Sequence, residues 1–261
     1  MRISSLFVSL ILLLLSPFEQ LHAAASAPFQ LREGLIWVQV QLQGYGPATF
    51  LLDSGAGSTL LDRRVAQAMG LSNGKHRRVQ GVNGILPAYV VDGVNGSIAD
   101  VPLPATALVV DMRSLAGPGT KVDGLLGVDF FKNRAVQIDF PARKLHVLNA
   151  SEAARLNGES LPLSRRNDCF CVRVSLEGAD SQWLRFDTGC DSAVEWVSRE
   201  KSDRPARADV ELGSMTISDV SIGHHGSALF PGEGGLVGNR LFANHRVTLD
   251  ATRKRLVLEQ R

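Results

Sequence analysis

Apolar and polar residues alternate along most of the chain in short runs bounded by Gly, Asn and Pro, the period-two pattern of half-buried strands. The runs at 35–42, 49–52, 89–91, 107–110, 136–140 and 144–148 are matched in the second half by runs at 170–176, 183–186, 209–212, 220–222, 246–249 and 255–258. This predicts an all-β fold with few helices. One helix is signalled where Asp62 precedes a run with Val65, Ala68 and Met69 on one side and Gly70 beyond it, an N-cap and a C-terminal stop. A second short helix, capped by Ser151, is expected in the polar stretch 149–160.

The pattern also repeats. FLLDSGAGSTL at 50–60 is echoed by RFDTGCDSAV at 185–194, and DGLLGVDFFKNRAVQIDFPARKL at 123–145 by GGLVGNRLFANHRVTLDATRKRL at 234–256. Two copies of one unit, over 28–148 and 161–261, are therefore expected on either side of a 149–160 linker.

Each copy contains a strand ending in Asp, a small hydroxyl residue and Gly. A glycine there lets backbone approach the carboxylate closely. Placed about a pseudo-twofold axis, two such turns bring Asp53 beside Asp187. Like charges that close do not both ionise easily, so the pair should hold one proton and titrate as a unit. The ionised member would take a proton from a water while the protonated member polarises an amide carbonyl, with no metal or cofactor required. The hydroxyls of Ser54 and Thr188 are expected to bond to the opposite loop's backbone, steadying the carboxylates beside Gly55 and Gly189.

On these residues the sequence resembles the aspartic proteases of the pepsin and retropepsin type. The resemblance rests on DSGAGSTLL and DTGCDSAVEW and on the later Leu-Leu-Gly and Leu-Val-Gly, and it runs over nearly all of 35–258. It implies that Asp53 and Asp187 are catalytic and that two retropepsin-like β-barrel lobes share one chain in a pepsin-like bilobal arrangement. The implied activity is endopeptidase action on polypeptide or peptide substrates. A catalytically silent peptide-binding or regulatory module on the same fold, and a homodimer in which each lobe supplies half a site, are the other readings. Because one chain already supplies both carboxylates, a monomer is expected.

From Asp to the later Gly is 74 residues in the first copy and 51 in the second, and much of the excess falls at 76–88. By resemblance this is a single flap, with Asn83-Gly84 as its turn signal and Gly81, Val82, Asn83 and Gly84 at its tip. The second motif departs from the family pattern: Cys190 replaces the usual Ala, and Ala193 stands where the first copy has Thr59.

Composition adds a compartment. Arg2, an apolar run at 6–15 and small residues from Ala23 read as a signal peptide over 1–25, with an uncleaved N-terminal anchor as the alternative. Export to a periplasm, or secretion outside bacteria, is expected, with no membrane association once the signal is removed. Export permits disulfides. Cys169 and Cys171 lie two apart on an apparent strand, and a turn near Gly178 would bring Cys169 close to Cys190, the pair favoured for a disulfide; metal ligation by the three cysteines is the weaker reading.

A net charge of +2 with scattered, mixed basic groups argues against a nucleic-acid partner. His224-His225 lacks further ligands at metal-binding spacing, and GEGGLVG lacks the spacing of a dinucleotide loop. Asp139 and Asp250 precede basic turns and are expected to be structural. Trp37, Trp183 and Trp196 are expected in the core.

Overall fold

The computed structural model describes residues 25–71, 74–81, 84–114, 121–177, 179–198, 206–228 and 230–260. The signal-peptide expectation falls almost wholly outside them, and Ala25, its last expected residue, opens the first strand, Ala25–Arg32.

A six-stranded antiparallel sheet joins the two halves. Its order is Ala25–Arg32, Lys144–Leu148, Ala135–Asp139, His245–Asp250, Arg255–Gln260 and Glu159–Arg166. The central seam pairs Ala135 with Asp250 through Asp139 with Arg246, and Gln137 donates to the Thr248 hydroxyl at 3.0 Å across it. All five residues of Ala135–Asp139 are buried, as a strand covered on both faces requires.

The outer strands repeat one device. Residues 25–28 pair with 144–147 in the shared sheet, and 29–32 then pair with 35–38 in the first half. Likewise 159–162 pair with 255–258 and 163–166 with 169–172 in the second. The alternation pattern alone did not reveal either strand, and Glu159 and Ser160, expected in the linker, already belong to one.

Within each half a hairpin leads to the motif. Leu35–Leu42 pairs with Gly46–Leu52, and Cys169–Leu176 with Gln182–Phe186. The strand carrying the later apolar pair lies parallel to the motif strand and antiparallel to the strand beyond the motif. Gly124–Leu126 does this with Gly46–Leu52 and Leu60–Asp62, and Gly235–Val237 with Gln182–Phe186 and Val194–Val197. Phe50 and Phe186 are fully buried just before the two Asp residues, each such side chain stabilising the fold by about 1.5–3 kcal/mol.

The first helix is Arg63–Ala68, with Asp62 accepting from the Arg64 amide. It buries Val65 and Ala66 with Met69 packed beside them, whereas Ala68 faces outward. The linker helix is Ala150–Ala154, and its cap is Asn149 rather than Ser151. Asn149 accepts from the amides of Ser151 and Glu152 while Glu152 returns a bond to the Asn149 amide, a capping box that Ser151 cannot form from inside the helix. Among the described residues no helix is long and apolar enough to cross a membrane.

Candidate active site

Asp53 and Asp187 follow their strands at positions fixed by backbone. The Asp53 amide donates to Leu126 O at 2.9 Å and the Asp187 amide to Val237 O at 3.0 Å. The chain then turns back, with Ala56 N on Asp53 O and Cys190 N on Asp187 O, both at 3.2 Å. The Gly of each apolar-apolar-Gly triplet lets the loops cross. A Cβ on Gly127 would lie 2.3 Å from the Ser58 carbonyl, and one on Gly238 2.4 Å from the Ser192 carbonyl oxygen.

The two loops interlock as the hydroxyls predicted. Ser54 Oγ donates to Phe186 O at 2.7 Å and accepts from the Thr188 amide at 3.1 Å. Thr188 Oγ1 donates to Leu52 O and accepts from the Ser54 amide, both at 2.9 Å. Both side chains are buried, so four bonds between the halves form out of water. Gly55 and Gly189 complete the arrangement: a Cβ on Gly55 would sit 2.3 Å from the Asp187 carboxyl carbon, and one on Gly189 2.4 Å from that of Asp53. Each carboxylate therefore rests on the other half's glycine.

The carboxyls hydrogen-bond to each other. Burial, then the charge of Asp187 and the bond to it, hold the Asp53 carboxyl well above the usual carboxylate range, against the opposing amides of Ala56 and Gly55. Burial also raises Asp187. The Gly189 amide, the Arg185 guanidinium and the Asp53 bond oppose that rise. Both residues keep part of their surface accessible, so water can reach the pair.

Arg185 was not anticipated as a site residue. It is buried two residues before Asp187, its Nε and Nη2 donating to the Glu233 carboxylate and its Nη1 to Gly55 O, all at 2.8 Å. The signal was a charged residue inside an apolar strand. Asn239 was also missed; its Nδ2 donates to Thr188 O and Gly34 O at 2.8 Å. In the first half, Thr59 instead donates to Asp129 at 2.7 Å and accepts from the Gly127 amide at 3.3 Å. Ala193 and Arg240 replace that pair in the second.

The expected Cys169–Cys190 disulfide is absent, and all three cysteines are free. Strand register explains it. Cys171 pairs with Arg185, so the antiparallel strand carries Cys169 level with Asp187, not with Cys190 beyond the turn. Cys169 Sγ donates to Gly55 O at 3.2 Å, while Cys190 Sγ lies 3.0 Å from Ser192 Oγ.

The expected flap is a hairpin of Lys75–Gly81 and Gly84–Asp92. Its strands close with Gly81 opposite Gly84, which places Gly84 inside the second strand rather than at the centre of an Asn-Gly turn. Val82 and Asn83 lie outside the described residues. Val79 of the hairpin packs in one apolar cluster with Trp37, Leu51 and Ala56, reaching the Asp53 loop. Among the described residues the second half has no counterpart of the 75–90 extension: its hairpin of Arg207–Leu212 and Met215–His225 corresponds to the last residues of Gly84–Asp92 with Thr106–Val110, continued by the short Gly96–Ile98 and Val101–Pro102 pair.

Of the remaining candidates, Asp139 and Asp250 are structural, accepting from the turn amides of Ala142 and Arg253 and pairing with arginines. His225 Nε2 meets Glu195 Oε2 at 2.5 Å. Trp37 and Trp196 are buried, but Trp183 is only half-buried beneath the guanidinium groups of Arg166 and Arg173.

Residues 38–130, which hold the first motif, the 75–92 hairpin and the first Leu-Leu-Gly, match the aspartyl protease family. The crystal structure of an aspartic proteinase from Irpex lacteus matches with a TM-score of 0.64 over 91% of this chain and 97% of that one, at 14% identity. The chain carries the aspartic protease fold. Its sequence likeness lies in the first half, while the likeness in shape spans both. No curated protein matches the chain in sequence. The bilobal, pepsin-like arrangement of the aspartic protease fold accounts for the interlocked loops, because each half supplies one carboxylate and the glycine that the other rests on.

Proposed function

We propose that the protein is an aspartic endopeptidase that hydrolyses peptide bonds with a water activated by Asp53 and Asp187. The observation that carries this is the reciprocal bonding of Ser54 and Thr188, which holds two mutually hydrogen-bonded carboxyls on opposing glycines. One ionised carboxylate removes a proton from water as its oxygen attacks the carbonyl carbon. The protonated partner donates its hydrogen to the carbonyl oxygen, giving a neutral tetrahedral diol. The dyad's proton passes to the nitrogen and the C–N bond breaks; as the carbonyl re-forms, a diol hydroxyl gives its proton to a carboxylate, leaving an acid and an amine and restoring the single shared proton.

The substrate is an extended polypeptide, engaged beneath the 75–92 hairpin, and one chain acts as a monomer. The apolar leader supports action outside the cytoplasm, in a periplasm if the source is bacterial. The test is cleavage of an unfolded protein and a mixed peptide library across about pH 3–7, a window that brackets a carboxylate dyad. Asp53→Asn and Asp187→Asn should each reduce kcat by at least about 1000-fold, the scale of a lost general acid or base. A folded parent that cleaves nothing, or cleavage that survives either substitution, leaves a peptide-binding module as the better reading.

A further inference from the structure

The halves repeat closely in backbone around the two carboxylates, and one pair of positions beneath them differs in charge as well as in size. Two residues before Asp53 stands Leu51, and five before Gly127 stands Val122; both belong to the apolar cluster under the flap. The equivalents in the second half are Arg185 and Glu233, both buried. Register confirms the equivalence, since Leu51 pairs with Leu125 as Arg185 pairs with Leu236. Two positions that join one apolar cluster in the first half are thus an ion pair in the second.

The pair has a direction. The Nε and Nη2 edge of Arg185 takes both Glu233 oxygens, and Nη1, on the other side, donates to Gly55 O. Phe230 lies over the guanidinium, its ring centre 3.4 Å from the central carbon. The positive group therefore stands between Glu233 and the Gly55 loop, which itself packs on the Asp187 carboxylate. Guanidinium planarity suits such a buried three-point contact. The charged and titratable groups that bear on Asp187 are Asp53, Arg185, Glu233, Cys169 and Cys190. Of these, Arg185 is the positive one, and its pull on Asp187 outweighs the opposing push of Glu233.

We propose that Arg185, oriented by Glu233, is a positioning residue that makes the carboxylates unequal. It clamps the Gly55 carbonyl across the junction and favours ionised Asp187, so the shared proton resides on Asp53. Asp187 is then the base that takes the water proton, and Asp53 the acid at the carbonyl. This rests on the endopeptidase reading for its kinetic consequence only.

The test replaces the ion pair with its first-half equivalent, Arg185→Leu/Glu233→Val in the full chain, which strands no buried charge, and compares Arg185→Lys. The replacement removes the larger influence of Arg185, which favours ionised Asp187, together with the smaller opposing one of Glu233, so the acid limb of kcat/KM should move up by about 0.5 pH unit. The kcat should fall about tenfold with KM within about threefold, as expected when loop geometry rather than substrate binding is lost. Arg185→Lys should keep the limb and lose kcat. A folded double variant whose limb stays where the parent's lies overturns the proposal, even if kcat drops, because Arg185 would then be only a latch. Carbon-13 titration of Asp-labelled carboxyls in parent and double variant reads the same quantity without turnover. A parent that cleaves nothing but whose pair titrates higher after the replacement sinks the endopeptidase and supports Arg185, whereas unshifted titration sinks Arg185 alone.

Discussion

The two motif loops of this chain are near copies in backbone and unlike in what lies beneath them. Asp53 rests above leucine and valine, with Thr59 and Asp129 bracing the crossing at Gly127. Asp187 rests above a buried arginine and glutamate, with Ala193 and Arg240 in the bracing positions and Asn239 tying the loop to Gly34 instead. The interlock thus needs the backbone and two hydroxyls to match, and little else. The supporting layer is free to diverge, and its divergence sets the electrostatic difference between two otherwise equivalent acids.

The sharpest way to break the equivalence is to fill one glycine at a time. Gly55→Ala and Gly189→Ala each drive a methyl into the opposite carboxylate, and each should cut kcat by at least about 100-fold, the cost of misplacing a reacting group by about 1 Å. A mild effect at only one, seen in steady-state cleavage assays, would show that its carboxylate is not held as described. Next come the hydroxyls. Ser54→Ala and Thr188→Ala each strand a buried amide and carbonyl, and denaturant melts should show similar losses of about 2–4 kcal/mol. Unequal losses would mean that one half carries the junction.

Thr59→Ala should cost about 1–3 kcal/mol by stranding a buried amide, while Ala193→Thr should gain no stability because Arg240 replaces the Asp that would receive the hydroxyl. Smallest is the effect of removing a carboxylate on stability. A carboxyl raised by folding binds its proton more tightly in the folded chain. Its stabilisation is therefore full below the ordinary value of 3.8 and is lost as pH rises through the folded value. Asp53→Asn should melt about 2–4 °C above the parent near neutral pH, with the gap closing on acidification. Asp187→Asn should gain less, since Arg185 already offsets its charge.

The interlock was legible in sequence because the repeat names both of its halves: an Asp, a hydroxyl and a glycine twice over give the reciprocal bonds once the copies are placed about an axis. Arg185 and Glu233 were not, since a residue that departs from its repeat partner carries no pattern and lies 48 residues from its ion-pair mate. The strands Ala25–Arg32 and Glu159–Arg166 escaped because each changes sheets midway, so no single alternation spans its length. The cysteine pairing failed on a register offset that composition does not encode. The cap at Asn149 competed with Ser151 two residues on, and only the Glu152 partner at the right spacing decides between them.

The shared sheet has one more consequence. Ala25–Arg32 and Glu159–Arg166 pair only with strands of their own halves, so the seam between Ala135–Asp139 and His245–Asp250 is the sheet's single crossing. The connection around Leu156–Gly158 runs outside it. Cutting the chain there would separate two polypeptides that still meet along that ladder, at the knot of hydroxyls, through the bonds of Asn239 to Gly34 and of Arg185 and Cys169 to Gly55, and across one apolar cluster drawn from both. In assembly terms the molecule is a heterodimer whose subunits happen to be translated as one.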